Sequence, residues 1–160
     1  MTDSRALQPK PLPEAILAGD GVGVADDTPF HITYSAGLVA WMSVNNLSLG
    51  FSTYTRGKVV LIGPGTLGQV AVSERNFGHA MALRATATGL YLSTEHQVWR
   101  FENGLDPGVQ FDGWDRLYMP RSCHVTGNVD VHDIHVDRDG RLLAVVTLYN
   151  CLAELDGRGS

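Results

Sequence analysis

The sequence predicts an all-β protein built as a β-propeller-like array of antiparallel meander blades. Three stretches share one layout, in which an alternating segment, a short polar turn ending in glycine and a second apolar segment follow one another. They are HITYSAGLVAWMSV, HAMALRATATGLYLST and HDIHVDRDGRLLAVVT. Their turn glycines, Gly37, Gly89 and Gly140, are 52 and 51 residues apart. Short strands joined in hairpins and repeated at such an interval are typical of propeller blades.

The turn glycines are expected to take positive φ angles, which cost glycine no steric penalty. Further strand-like segments follow the three hairpins, namely LSLGFSTY, KVVLIG, HQVWRF and CLAELD. About three repeats of 51–52 residues do not close a ring, because propellers have about four to eight blades. The array is therefore either an incomplete ring that lacks a C-terminal half or one that self-associates. An antiparallel sandwich with evenly spaced glycines is the alternative architecture.

The first 28 residues differ in composition from the rest. Pro9, Pro11 and Pro13 precede the loose segment GDGVGVADD. Prolines and small polar residues at this density are typical of a flexible leader. The predicted organisation is a leader over 1–28 and a partial-propeller domain over 29–160.

Composition excludes some partners. The chain of 160 residues is long enough for one domain with a real core, and its 12 basic and 17 acidic residues give a net charge of −5. Without a basic stripe, nucleic acid is not an expected partner. No apolar window approaches the roughly 18 residues that span a bilayer, and the N-terminus lacks the layout of a signal peptide. The prediction is a cytoplasmic protein with no membrane partner.

The segment KVVLIGPGTLG matches the pattern G-x-G-x-x-G at Gly63, Gly65 and Gly68. In a dinucleotide-binding unit this pattern opens a helix, and an acidic residue follows about 20 positions later. Here Val70 and Val72 alternate as in a strand, and Glu95 lies too far along the chain. A glycine-rich turn between two strands is the simpler interpretation, with nucleotide binding as its alternative.

The segment DVHDIHVDRDG, residues 130–140, concentrates histidine and aspartate. As a regular strand it would place Asp130 and His132 on one face, and Asp133, His135 and Asp137 on the other. Asp137 and Asp139 are predicted turn formers, because aspartate accepts hydrogen bonds from its own local backbone. The two histidines then point in opposite directions and do not form a chelate by themselves.

Histidines also open the second and third repeats, at His79 and His132. The first strand of each propeller blade lines the central channel, so equivalent positions converge there. His79, His124, Asp130 and His132 are therefore candidate ligands for a divalent transition metal, Zn, Fe or Mn. The same groups suit general acid–base chemistry without a metal, and they equally suit hydrogen bonds that lock blades together.

The segment FDGWDRLYMPRSCHVTGN, residues 111–128, carries the aromatic Trp114 and Tyr118 together with two arginines. Such a loop either binds a ligand at the channel mouth or caps one edge of the sheets. Trp99 and Phe101 alternate on one face and are expected in the core. Cys123 and Cys151 are expected to be reduced and buried, and Cys123 has no suitably placed base for a nucleophilic role.

Four segments together, STYTRGKVVLIG, HQVWRFENGL, DRLYMPRSCHVTGNVDVHDIH and CLAELD, resemble a family. The chain is similar to an uncharacterised bacterial family of conserved hypothetical proteins, a domain of unknown function, over roughly residues 30–156. The resemblance implies a propeller-like fold and family members about twice as long, so that this chain corresponds to their N-terminal half. It nominates seven positions for testing: Arg116, Arg121, Thr126, Gly127, Asp130, His132 and Asp133.

Two hypotheses for function follow from these patterns. The first is a binding or scaffold domain that engages a small molecule or a protein at the channel mouth, with candidate ligand-binding residues Arg116, Arg121, Thr126, Gly127 and Asp133. The second is a metal-dependent enzyme with its His/Asp site on the channel.

Overall fold

The computed structural model describes residues 31–156, in which ten strands form three antiparallel sheets. Sheet I contains β1 (Leu49–Thr53), β2 (Lys58–Pro64) and β3 (Val70–Asn76); sheet II contains β4 (Leu83–Ala85), β5 (Gly89–Ser93), β6 (Gln97–Asn103) and β7 (Tyr118–Val125); sheet III contains β8 (Val131–Val136), β9 (Leu142–Val146) and β10 (Cys151–Leu155). In every sheet, strands that are consecutive along the chain are hydrogen-bonded neighbours. The predicted all-β, blade-like fold class is confirmed. The predicted leader, 1–28, lies outside the described residues.

The three sheets stack face to face with sheet II in the middle. Strand alternation gives β5 two apolar faces, because Leu90 and Leu92 belong to the core shared with sheet I, whereas Tyr91 packs against the core shared with sheet III. The prediction that Trp99 and Phe101 lie in the core is confirmed. Their rings stack with centroids 6.1 Å apart and belong to the cluster between sheets I and II.

Two serine hydroxyls join the stacked sheets, and we call these contacts the serine joints. Ser52, near the end of β1, donates a hydrogen bond to the carbonyl of Met81, which leads into sheet II. Ser93, at the end of β5, is fully buried. Its hydroxyl donates to the carbonyl of Val131 in sheet III at 2.6 Å and accepts from the N–H of Ala82 at 2.8 Å. Each joint gives a directional bond to an otherwise apolar contact.

The first predicted hairpin, in HITYSAGLVAWMSV, is wrong. Its second half forms the helix α1 (Leu38–Val44), which packs on the outer face of sheet I. Val39 and Met42 are three residues apart and therefore lie on one face of a helix, where both are buried. The helix ends at Val44, and Asn46, just after the C-cap Asn45, has a φ of 51° in the left-handed region that follows many helices. Burial of one helical face outweighs the strand preference of the valine and tryptophan residues in this segment.

The three turn glycines therefore do not mark equivalent positions. In sheet I the first hairpin turns at Gly57 (φ 55°), not at Gly37. Gly140 has the expected positive φ, 80°. Gly89 serves a different purpose, because a Cβ there would lie 1.9 Å from the carbonyl oxygen of Phe101 on the neighbouring strand. Only a residue without a side chain allows β5 and β6 to approach this closely.

The G-x-G-x-x-G segment connects two antiparallel strands. A short 3-10 turn, Thr66–Gly68, separates β2 from β3, and the N–H of Gly65 bonds the carbonyl of Gln69 at 2.8 Å across the connection. A dinucleotide-binding unit requires a helix at this point. The interpretation of this segment as a dinucleotide-binding turn is therefore wrong, and the simpler interpretation, a turn between strands, is confirmed.

A β-bulge interrupts the predicted alternation in β8. Val131 pairs with Val146 and Asp133 pairs with Val145, so His132 is the extra residue. Val131 and Ile134 are consequently both buried although three positions separate them. The expectation that Asp130 and His132 share a regular strand face is wrong for this reason.

The turn after β8 is the predicted one. The Asp137 carboxylate accepts hydrogen bonds from the backbone N–H groups of Arg141 and Asp139, each at 2.9 Å. It also forms an ion pair with the Arg141 guanidinium at 2.7 Å. The bond from the Arg141 backbone is the largest of the contributions that lower the pKa of Asp137. Within residues 31–156, no helix has the length and apolar character that a membrane crossing needs.

Replacing Ser93 by alanine tests the buried serine joint. The substitution leaves the Ala82 N–H and the Val131 carbonyl without the Ser93 hydroxyl, in a site without water access. We expect the free energy of unfolding to fall by about 1–3 kcal/mol, measured by urea denaturation. Ser122→Ala on the edge strand β7 is the matched control, with an expected change within about 0.5 kcal/mol. Equal effects of the two substitutions would contradict the role of the joint.

Candidate functional site

A cavity of about 190 Å³ lies between sheets I and II. Its walls are predominantly aliphatic. Leu61 of β2 lies on one side, and Leu83, Leu90 and Leu92 of sheet II lie on the other. The alternation of β2 and β5 directs these side chains toward each other, which is why the cavity is apolar. It exceeds the roughly 150 Å³ at which an apolar protein cavity holds a benzene molecule.

Two glycines of sheet I lie against this region. A Cβ at Gly50 would lie 3.0 Å from a methyl carbon of Leu61 and 3.2 Å from one of Leu83. A Cβ at Gly63 would lie 2.9 Å from the Ser48 hydroxyl and 3.8 Å from the Trp114 ring. Side chains at these positions would press on residues that line the cavity. The first glycine of the G-x-G-x-x-G segment therefore contributes to a packing contact.

The loop that connects β6 to β7, residues 104–117, borders the cavity through Trp114–Leu117. Asn103 anchors the loop, since its side-chain oxygen accepts hydrogen bonds from the N–H groups of Leu117 at 2.9 Å and Leu105 at 3.2 Å. The Gly104 N–H bonds the Leu117 carbonyl at 2.8 Å. The predicted aromatic and arginine-rich segment thus lies at the edge of an apolar cavity.

Two arginines and a tyrosine supply polar groups at the cavity. Arg75 of β3 is partly buried, and this burial lowers the pKa of its guanidinium, although the nearby Glu74 opposes the effect. Arg116 borders the cavity from the loop and lies 3.4 Å from the carboxylate of its neighbour Asp115. Burial raises the pKa of Tyr118, so its hydroxyl is a neutral hydrogen-bond donor at physiological pH.

The carboxylate of Glu74 is engaged elsewhere. In the β2–β3 register, Glu74 lies opposite Val60, on the face toward α1. Its Oε1 lies 3.5 Å from the buried ammonium of Lys58, which also donates to the Asn76 side chain at 3.1 Å. Among the described residues its buried Oε2 has no hydrogen-bond partner. The negative charge at β3 is thus compensated by Lys58.

A second cluster lies where the ends of the three sheets meet, and we call Tyr54, His79 and His132 the ring cluster. The Tyr54 ring stacks on His79 at a centroid distance of 5.3 Å and on His132 at 6.1 Å. The Nδ1 of His79 lies 3.4 Å from Oε2 of Glu95, and the Nε2 of His96 lies 3.8 Å from the same oxygen. Tyr54 lies in the turn between β1 and β2, His79 lies in the connection between β3 and β4, and His132 lies in β8 of sheet III.

The candidate metal ligands are only partly brought together. His79 and His132 both contact Tyr54, but His124 lies on β7 opposite Val98 and borders an outer groove facing sheet III. The backbone carbonyl of Asp130 accepts hydrogen bonds from Thr147 at 3.0 and 3.1 Å. In the part of the chain that the structure describes, no group of three or more His, Cys, Asp or Glu side chains is arranged to hold a metal ion. The metal assignment stays a prediction that this geometry does not support.

The candidate ligand-binding residues are dispersed. Arg116 borders the cavity, whereas Arg121 pairs with Glu102 at 3.2 Å on the sheet surface. The N–H of Thr126 donates to the His96 carbonyl at 2.9 Å, and the turn continues through Gly127 at φ 69°. The carboxylate of Asp133 accepts a hydrogen bond from the next backbone N–H at 2.8 Å. Of these five residues, Arg116 alone lines the cavity.

Sequence reasoning missed Arg75 and Tyr54. Arg75 reaches the cavity because β3 places it on the face toward sheet II, next to Glu74 on the opposite face. Tyr54 follows β1 at the start of the turn that ends in Gly57. An aromatic residue in a turn of a predicted hairpin was the available signal, but the stacking of sheets I, II and III decides what it contacts.

These features define an all-β domain of stacked meander sheets with an apolar inter-sheet cavity bordered by arginine. The model of a domain of unknown function, DUF4915, matches residues 36–160. The chain therefore belongs to the DUF4915 family. No curated protein and no solved structure matches the chain. The predicted membership in a family of unknown function is confirmed, and the bacterial origin and the propeller-like fold of that family stay predictions.

The environment of Cys123 makes a prediction about reactivity. The predicted burial of Cys123 and Cys151 is wrong, because both are exposed. Partial desolvation nevertheless raises the pKa of the Cys123 thiol, and because the thiolate is the reactive form, this lowers its reactivity near neutral pH. In a Cys151→Ser chain, alkylation of Cys123 by iodoacetamide should reach half its maximal rate at a higher pH than in the same chain unfolded in urea. A folded-state midpoint at or below the unfolded one would show an activated thiol.

Proposed function

We propose that this domain binds a small amphipathic anion, with its apolar body in the cavity between sheets I and II and its anionic group toward Arg116 and Arg75. One observation carries the proposal, namely an aliphatic cavity of about 190 Å³ that opens at an arginine-bearing loop. Ligand sites are commonly concave, mostly apolar and equipped with a few polar groups that orient the ligand.

The choice of an anion rests on the charges that border the cavity. Four charged residues line the cavity: Glu74, Arg75, Asp115 and Arg116. The Glu74 carboxylate pairs with Lys58 on the face toward α1. Arg116 lies 3.4 Å from the Asp115 carboxylate, so Arg75 adds an excess of positive charge. The partly buried Arg75 guanidinium already donates a hydrogen bond to the Glu74 backbone carbonyl at 2.8 Å, and an anionic ligand would add charge compensation beside this contact. A guanidinium donates two parallel hydrogen bonds to a carboxylate. A ligand that carries one carboxylate therefore matches the geometry of a single arginine.

The apolar body must be small. A naphthalene-sized ring system is close to the upper limit for a cavity only slightly larger than one that holds benzene. Three probes with one ring and different head groups separate the contributions: 2-naphthoate, 2-naphthamide and 2-naphthylmethylammonium. We expect 2-naphthoate to bind most tightly and the cation least tightly, as measured by isothermal titration calorimetry.

Filling the cavity should abolish binding of all three probes. Ala85 lines the cavity from β4, so the larger side chain of Ala85→Leu occupies the space that the ring requires. Ala87→Leu, in the exposed turn between β4 and β5, is the matched control and should leave binding unchanged. If Ala85→Leu binds 2-naphthoate as well as the original chain does, the ring occupies another site.

Removing the loop guanidinium should affect only the anion. For Arg116→Ala we expect roughly tenfold weaker binding of 2-naphthoate, because a charge-assisted hydrogen bond of about 1.5 kcal/mol is lost. Binding of 2-naphthamide should change by less than about twofold. Arg121→Ala, which removes a guanidinium that pairs with Glu102 away from the cavity, is the control.

The competing hypothesis is the metal-dependent enzyme. It requires a transition metal bound at about one per chain and lost on His132→Ala, which metal analysis by mass spectrometry measures. Such a metal result, together with no saturable binding of any of the three probes at concentrations up to about 1 mM, would replace the proposed function with the metal hypothesis.

A further inference from the structure

A buried serine lies in the wall of the cavity between sheets I and II. Ser73 of β3 is 5% exposed and lines the cavity. In the β2–β3 register it lies opposite Leu61, and the alternation of β3 directs its side chain toward sheet II. Among the described residues its hydroxyl has no hydrogen-bond partner. A molecule in the cavity is therefore the partner that this hydroxyl can reach.

The other buried polar side chains of the described region are bonded within the protein. The Lys58 ammonium donates to a neighbouring side chain at 3.1 Å, and the Thr94 hydroxyl donates to a backbone carbonyl at 3.3 Å. The Ser93 hydroxyl both donates and accepts. Buried polar groups are hydrogen-bonded as a rule, and an exception points to a bound water molecule, ion or ligand. Within residues 31–156, Ser73 is such an exception.

The face of β3 toward the cavity carries small or polar side chains. Ala71 and Arg75 flank Ser73 on this face, so neither neighbour is a large apolar residue. A valine in place of the serine would bury more apolar area and would avoid the unfavourable burial of an unbonded hydroxyl. The small side chains leave the cavity open, and Ser73 gives its aliphatic wall one polar atom. This face therefore suits a molecule that is itself not wholly apolar.

We infer that the ligand is a small carboxylate whose ring carries a hydroxyl or carbonyl oxygen, and that Ser73 recognises this oxygen. The inference rests on the proposed function, because it concerns the same cavity. Ser73 and Arg75 share one face of β3 and are two residues apart, which separates their Cα atoms by about 7 Å. The Arg75 guanidinium stays near the strand, since it donates to the Glu74 carbonyl at 2.8 Å. The ring oxygen and the carboxylate therefore lie on remote rather than adjacent carbons of the ligand.

The chemistry of a serine hydroxyl determines which oxygens it recognises. A hydroxyl donates one hydrogen bond and accepts others, so Ser73 can donate to a carbonyl oxygen or pair with a hydroxyl. Binding exchanges a bond to water for a bond to the ligand, so the net gain is that of one neutral hydrogen bond, or roughly fivefold in affinity. A methyl group in the same place displaces water without replacing its hydrogen bond, which weakens binding.

The test compares three ligands that share one ring system: 2-naphthoate, 6-hydroxy-2-naphthoate and 6-methyl-2-naphthoate. The hydroxyl and methyl groups are similar in size, so the last two ligands differ mainly in hydrogen bonding. We expect the full chain to bind the hydroxy compound roughly fivefold more tightly than the methyl compound in isothermal titration calorimetry. Ser73→Ala should remove this difference. Ser122→Ala, on β7 and outside the cavity, is the matched control and should retain it.

Urea denaturation separates recognition of a ligand from a structural role of Ser73. Ser73→Ala removes no hydrogen bond between described residues, so its urea midpoint should match that of the original chain, unlike that of Ser93→Ala. A midpoint lowered as far as by Ser93→Ala would overturn the inference. Equal affinity for the hydroxy and methyl compounds, or a preference that survives Ser73→Ala, would also overturn it, while binding of 2-naphthoate would still support the proposed function. Failure of all three compounds to bind would overturn both.

Discussion

The serine joints are the constraint on which the arrangement of the sheets depends. Aliphatic contacts between two sheets are non-directional, so the sheets can slide with little change in buried area. A hydroxyl that bonds a particular carbonyl removes this freedom. Ser93 fixes sheet III on sheet II and Ser52 fixes sheet I on sheet II. The shape of the cavity between sheets I and II depends on how these sheets are fixed to each other. The contact of Tyr54 with His132 likewise depends on how sheets I and III are placed on sheet II.

The strands were predictable where local chemistry determines them. HQVWRF alternates, and the turn Asp137–Gly140 forms because an aspartate carboxylate and a left-handed glycine suit it. Helix α1 was not predictable in the same way, because its strand-favouring residues become helical only when Val39 and Met42 are buried on sheet I. The bulge at His132 has no sequence marker, and it decides which residues of β8 face the core.

Prediction of the site was weaker because a site depends on how sheets are stacked. Arg116 was found through a motif and through its aromatic loop, and it does border the cavity. Arg75 was missed, because it lies in an ordinary strand and reaches the cavity only through the packing of sheet I on sheet II. The histidines show the converse. Their spacing predicted that His79, His124 and His132 converge. In the structure His79 and His132 lie beside Tyr54, whereas His124 lies on another surface.

The meander order of the strands has a consequence for how the chain folds. Every sheet is formed by consecutive strands, so its hydrogen bonds close short loops and each sheet has low contact order. During synthesis, sheet I can pair before sheet II emerges, and each sheet then acts as a template for the next. Rapid local pairing leaves stacking as the slower step, during which one apolar face of the newest sheet is uncovered. Intermediates of this kind are prone to aggregate, so we expect faster covering of these faces to raise the yield of native protein.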